Sequence, residues 1–345
     1  MNNTIMLQEI KSQPEKLKAC FAKNKDVISL LAKTIKTFSP NNIVLVGRGT
    51  SLNSIYFAKE LLEIYYNVPV SIANPSVFTV YDSTLDLNKS LVIAISQSGK
   101  GKDIFKVVEK ANKAGALTVA ITNEKDSILA KESKYNLYNE VDKAVSYAAT
   151  KTYSSTIFLL TKLIFEISNV PELDLDDNSV FEAMEKSFDY YDQIKEDVKL
   201  FKNFKYANCI TRGYTIALAE ELALKLKEAC HFPATAYKSS EFYHGPIVIV
   251  NKNIPSFIFA IEEKTNINNI KLIEDLQKLD GFTYTITNKG EIRELSKNGI
   301  YISESNDLLA MFTAIGVLQL IVCELSYSLG YNPDFMKVLE HIDTI

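Results

Sequence analysis

The segment KLKEACHFPATAYKSSEFYHGP, residues 225–246, holds side chains that could move a proton. Glu221, Lys225 and Glu228 follow one another at i, i+4 and i+7, which places them on one strip of a helix. His244, one of three histidines in the chain, stands before a Gly-Pro pair a short loop further on. A carboxylate roofed by apolar neighbours, here Leu218 and Leu224, has its pKa raised by desolvation and can act as a general base. An imidazole nearby can handle a second proton. The same spacing also suits a solvated stripe whose ion pairs contribute about 0.2–0.5 kcal/mol each. Periodicity leaves both possibilities open. The other face of the helix (Ile216, Ala219, Leu222, Ala223, Leu226 and Cys230) is apolar and belongs to a core.

A second group of residues suits an anion. GRGTS (47–51), SQSGKGKD (96–103) and AATKTYSS (148–155) each bring hydroxyls to the start of an expected helix. There the backbone N–H groups and the helix dipole favour negative charge. Arginine occurs only at Arg48, Arg212 and Arg293, so backbone N–H groups, hydroxyls and lysines must do most of the anion binding. Such loops fit the phosphate monoester of a small molecule. None matches G-x-x-x-x-G-K-[ST] or G-x-G-x-x-G, so a nucleotide is not indicated. The competing explanation is that the serines and threonines only cap helices.

These residues need a scaffold. NIVLVG (42–47), LVIAIS (91–96) and LTVAIT (117–122) are short continuous apolar runs separated by helical patterns near 51–65 and 102–114. That alternation predicts parallel strands covered on both faces. It restarts with ANCITRG (207–213), IPSFIFA (254–260) and FTYTITN (282–288), with helices over 215–230 and 268–281. VLVGRGTS and NCITRGYT both run from a strand through Arg-Gly into a helix, which points to an internal duplication. Residues 4–38 read as helical with Pro14 opening a second helix, and NVPELDLDDNSV (169–180) is a linker candidate. The expected fold is α/β, two doubly wound parallel sheets flanked by helices in a flavodoxin-like or Rossmann-like three-layer sandwich.

Composition narrows the class. Apolar residues make up 47% and charged residues 23% of 345, enough for two cores, and a net charge of −4 carries no electrostatic footprint for nucleic acid. The four cysteines, Cys20, Cys209, Cys230 and Cys323, match no metal or redox spacing and are expected to be buried thiols. The N-terminus lacks a signal-peptide pattern, and no uninterrupted apolar run approaches membrane-spanning length. A soluble, cytoplasmic protein without a membrane partner is expected. Three dispersed histidines and no carboxylate–histidine helix motif give no metal-ligand set.

Taken together and in order, MLQEIKSQPEKL, GRGTS, ISQSGKGKDI, AATKTYS, ALAEELALKLKEACHFPATAYKSSEFYHGP and NPDFMKVLEHIDTI resemble the double-SIS (sugar isomerase) proteins. These include the isomerase half of glucosamine-6-phosphate synthase, aminosugar-phosphate deaminases and fructosamine-6-phosphate deglycases. The resemblance implies N-terminal helices (1–40), a phosphosugar-binding SIS domain (41–175), a catalytic SIS domain (176–330) and a tail closing the site (331–345). It puts the sugar phosphate on Gly49, Thr50, Ser51, Ser96, Gln97 and Ser98, and the sugar near Tyr147 and Ala148. Glu228 would move a proton between C1 and C2, with Lys225 beside it. His244 would serve ring opening or protonation, supplied by the neighbouring subunit of a homodimer. No cofactor is implied.

Three departures stand out against that family. Gly101 replaces a hydroxyl residue, so a backbone N–H or Lys102 must substitute. Tyr147 stands where a smaller residue is usual. His341 stands where relatives carry a lysine, which rules out an amine-type Schiff base there. With no N-terminal cysteine nucleophile and no room for a glutaminase domain before the first sheet, the expectation is aldose–ketose isomerisation or aminosugar-phosphate deamination. Deglycation, or a non-catalytic sugar-phosphate regulator, is the alternative.

Overall fold

A computed structural model describes residues 4–142, 146 and 148–335. Among them are two parallel sheets of five strands each. The first contains β1 (Asn42–Val46), β2 (Val70–Ile72), β3 (Ser90–Ile95), β4 (Leu117–Thr122) and β5 (Tyr135–Tyr138), in the order β2-β1-β3-β4-β5. The second contains β6 (Ala207–Thr211), β7 (Ala234–Lys238), β8 (Pro255–Ala260), β9 (Phe282–Thr287) and β10 (Gly299–Tyr301), in the order β10-β9-β8-β6-β7.

The orders correspond strand for strand. Each strand of the second sheet begins 164 or 165 residues after its counterpart, as in Asn42 and Ala207, Val70 and Ala234, or Tyr135 and Gly299. The chain is therefore a duplicated α/β unit. In β3, β4 and β8 every residue is buried, because helices cover both faces of a parallel sheet. That is why these strands read as unbroken apolar runs. The lateral strands β2, β5, β7 and β10 have only three to five residues and mixed burial, so no run announces them.

The chain divides into two compact units. One, residues 15–142 and 151–174, carries the first sheet; the other, residues 4–14, 148–150 and 175–335, carries the second. Helix Ile5–Lys11 is followed by helix Gln13–Phe38, with Pro14 in the first turn of the second as the sequence predicts. The acidic stretch after residue 169 is not bare chain. It forms a short turn, Pro171–Leu173, buries Leu173 and Leu175, and ends on Asp176, whose carboxylate accepts the Ser179 N–H at 2.9 Å to start helix Asp177–Lys186.

Helix Asp307–Ser328 has the length and apolar content to cross a membrane, which the search for an uninterrupted apolar run does not find. It is 94% buried over its most apolar window and packs against helices Ile216–Cys230 and Asp177–Lys186, as the core helix of the second unit. Its one amide, Gln319, accepts from the Gln13 side chain at 2.8 Å.

Candidate functional site

In the first unit the loops after β1 and β3 flank the point where strand order reverses, and ligands of open α/β sheets bind beyond the carboxyl ends there. Helix Thr50–Leu61 starts on Gly49, at φ 55°, and helix Lys102–Lys113 starts on Gly101. Neither start is capped by a side chain, so capping does not account for the hydroxyls around them. Thr50, Ser51, Ser96 and Ser98 are half-buried, while Gln97 and Lys102 are exposed.

The turn after β3 is tightly built. The Ser96 hydroxyl accepts the Gly99 N–H at 3.2 Å, and the Ser98 hydroxyl accepts the Lys100 N–H at 3.4 Å. Gly99 takes φ 59°, and a Cβ there would lie 2.1 Å from the Ser127 hydroxyl, so only glycine fits. The guanidinium of Arg48 pairs with the Asp103 carboxylate and ties the two loops together. Sequence reasoning passed over this pair, although Arg48 sits in the turn after β1 and Asp103 in the first turn of the helix after β3.

The third hydroxyl loop serves a different purpose. Thr150 donates to the buried Glu9 carboxylate at 3.3 Å, Ser146 donates to the same oxygen, and the buried Ala148 carbonyl accepts from Ser146 at 3.2 Å. The expectation that this loop offers its hydroxyls to an external anion is corrected for Thr150, and Ser146, just before the loop, joins it on the same carboxylate. A carboxylate of the chain itself engages them. Tyr147 and His341 lie outside the described residues.

In the second unit, β6 leads through Arg212-Gly213 into helix Ile216–Cys230. That helix packs on β6 and β7 and on helix Asp307–Ser328. Only Glu220, Leu224, Lys227 and Glu228 escape full burial, so the solvent side is rotated from the strip suggested by charge spacing. Glu221 and Lys225 are inside, with side chains 0% and 1% exposed, and Glu228 stands at the margin with 26%. The alternative of a solvated stripe is therefore ruled out for Glu221 and Lys225.

The Lys225 ammonium lies 3.2 Å from Glu221 Oε1 and 3.0 Å from Glu228 Oε2. Burial by itself would push Lys225 down, but the two carboxylates outweigh it and hold the group above the usual lysine value. A permanent cation thus fixes one face of the Glu228 carboxylate and leaves the rest toward solvent. Glu221 belongs to this cluster as the buried counter-ion, and its i, i+4 spacing from Lys225 is the signal that would have found it.

His244 is exposed and ends the short helix Ser239–Tyr243, with its N–H on the Glu241 carbonyl at 3.0 Å. Its imidazole makes no hydrogen bond or ion pair to a described residue, and the structure does not join it to the Lys225 cluster. The preceding Tyr243 is anchored by a 3.0 Å hydrogen bond to Asp275. Among the described residues no three His, Cys, Asp or Glu side chains form a metal-binding group.

Comparison with known proteins agrees with the duplicated α/β fold. The family description "SIS domain" matches residues 37–165 and 207–329. The glutamine–fructose-6-phosphate aminotransferase (isomerizing) of Pyrococcus horikoshii is 28% identical over 335 residues, 95% of this chain and 56% of the relative. The chain thus spans little more than half the length of that curated relative. Among solved structures, a candidate phosphosugar isomerase from Silicibacter pomeroyi superposes with a TM-score of 0.85 at 25% identity, over 96% of this chain and 100% of that one. Glucosamine-6-phosphate deaminase from Thermotoga maritima shares the fold, with a TM-score of 0.76 at 22% identity over 96% and 97% of the two chains.

Proposed function

Because this chain belongs to the SIS-domain family, we propose that it processes a hexose or hexosamine 6-phosphate by transferring a proton between C1 and C2 of the open-chain sugar. The observation that carries this reading is the row Glu221–Lys225–Glu228, in which a buried ammonium holds a partly exposed carboxylate. Glu228 takes the proton from C2 and delivers it to C1, through an enediol for a hydroxy sugar or an enaminol for a 2-amino sugar. In the amino case the product is an imine at C2, which water hydrolyses to a ketose phosphate and ammonia. A base fixed in this way typically contributes about 10²–10⁴-fold.

The uncapped hydroxyl loops of the first unit hold the phosphate through Thr50, Ser51, Ser96, Gln97 and Ser98, with backbone N–H groups at Gly49 and Gly101 and the Lys102 ammonium in support. Anchoring the phosphate away from the reacting carbons supplies orientation. His244 serves the second proton and is contributed by a second copy of the chain. Its exposure supports that assignment, as does the exposure of Val248 and Ile267 on the same unit, at 84% and 82%.

The reaction is identified by incubating the protein with glucosamine 6-phosphate, galactosamine 6-phosphate, fructose 6-phosphate and fructosamine 6-phosphates. Isomer formation or ammonia release is the expected result. Release of a larger amine identifies a deglycase. Inertness toward the whole panel, with binding retained, contradicts an enzyme and favours a sugar-phosphate-binding regulator.

A further inference from the structure

The second sheet repeats the switch point of the first, between β6 and β8, and repeats its turn. Arg212-Gly213 matches Arg48-Gly49, and Gly213 again has a positive φ, 83°. The Arg-Gly match sets the correspondence, and strand register, which is the same in both sheets, carries it to the neighbouring strand. Val46 pairs with Ala94 in the first sheet, and Ile210 pairs with Ile258 in the second. Counting onward from those pairs, Thr215 stands where Ser51 stands, and Glu262 where Ser98 stands. Where the first half presents a serine hydroxyl, the second carries a carboxylate.

That carboxylate is turned inward. Glu262 is 7% exposed, and its Oε1 accepts the Thr215 backbone N–H at 3.0 Å and the Thr215 hydroxyl at 3.1 Å. Thr211, which donates to the Phe259 carbonyl, backs the Thr215 hydroxyl at 2.6 Å. A Cβ on Gly213 would lie 2.3 Å from both carboxylate oxygens, so this glycine provides the room they occupy. The contacts are those an oxyanion makes at a helix N-terminus, and the helix is Ile216–Cys230, which carries Lys225 and Glu228. In the first half the corresponding Ser51 N–H instead bonds the Arg48 carbonyl of its own turn, at 3.1 Å.

We propose that Glu262 is a built-in anion. The duplicated unit's oxyanion cradle persists in the second half, where the chain's own carboxylate fills it, anchors the start of the helix bearing Glu228 and prevents a second phosphate from binding. A cradle of this kind accepts a small oxyanion, such as inorganic phosphate or formate, once the carboxylate is removed. The count of one phosphate per wild-type chain rests on the function proposed above; the occupied cradle does not.

The test compares the whole protein with Glu262→Ala and Glu262→Gln. Phosphate stoichiometry is measured by equilibrium dialysis, and thermal unfolding is followed in formate, phosphate or chloride at constant ionic strength. Glu262→Ala is expected to bind one more phosphate per chain than wild type, and formate or phosphate should raise its melting temperature more than they raise that of wild type. Glu262→Gln, which keeps the space filled, should gain no site. Equal stoichiometry and equal anion response in Glu262→Ala and wild type would overturn the proposal. So would a Glu262→Ala protein that fails to fold even in saturating formate and phosphate. No phosphate uptake by wild type would instead contradict the role of Ser51, Ser96 and Ser98, leaving the difference between variants to judge Glu262.

Discussion

Lys225 shows what a single residue contributes here. It is buried between Glu221 and Glu228, and a buried ion stripped of its partner costs about 3–5 kcal/mol. Lys225→Met leaves Glu221 buried beside an apolar side chain, so urea unfolding should show a loss of that size. The double variant Glu221→Gln/Lys225→Met should recover much of it. The pH dependence follows from the raised pKa of Lys225. Its stabilisation is complete below the unfolded-chain value, about 10.4, and is lost as pH rises through the higher folded value. The stability gap between wild type and Lys225→Met should therefore be flat from neutral pH to about 10 and narrow above it. The charge pattern of this helix could be read from sequence. Its burial could not, because periodicity says which residues share a side but not that β6, β7 and helix Asp307–Ser328 enclose the helix.

At the scale of elements, the strand-to-helix turns set the site. Gly99 combines φ 59° with a Cβ position blocked by Ser127, and the Ser127 hydroxyl is itself held by the Ala130 N–H at 3.2 Å as the cap of helix Ile128–Glu132. Gly99→Ala should cost about 1–3 kcal/mol through backbone strain and, by displacing Ser96 and Ser98, should weaken phosphosugar binding about tenfold, an effect of ~1.4 kcal/mol. Calorimetry on the same preparation measures both. The buried strands β1, β3, β4 and β8 were legible as largely apolar runs because their sheets are covered on both faces, and β6 and β9 from the alternation that restarts around them. The lateral strands were not, since Val70–Ile72 and Gly299–Tyr301 are too short for a pattern. The hydroxyl loops were recognisable as helix starts, but not which of them the chain uses itself. Thr150 serves Glu9, and only packed coordinates bring residues so far apart in sequence together.

For the whole molecule, duplication is the organising fact. Arg-Gly turns after β1 and β6 hinted at it, and the identical strand orders establish it. The two halves have since diverged. One keeps serines at the switch point, and the other carries Glu262 there together with the Lys225 cluster. Burial silences all four cysteines, and it pushes the thiol pKa values well up at Cys20, Cys209 and Cys230. Ellman's reagent should find no reactive thiol in the native protein and four after denaturation. Rapid native labelling would contradict the packing.

The central claim is that Glu228 moves a proton on carbon, whichever product is finally released. Proton NMR of the 6-phosphate panel in D2O reads that step directly. Wild-type protein is expected to wash the C1 or C2 proton of its substrate out into solvent. Glu228→Gln should bind the same phosphosugar and leave those protons in place for at least 10²-fold longer. Washout by Glu228→Gln at the wild-type rate would contradict the account.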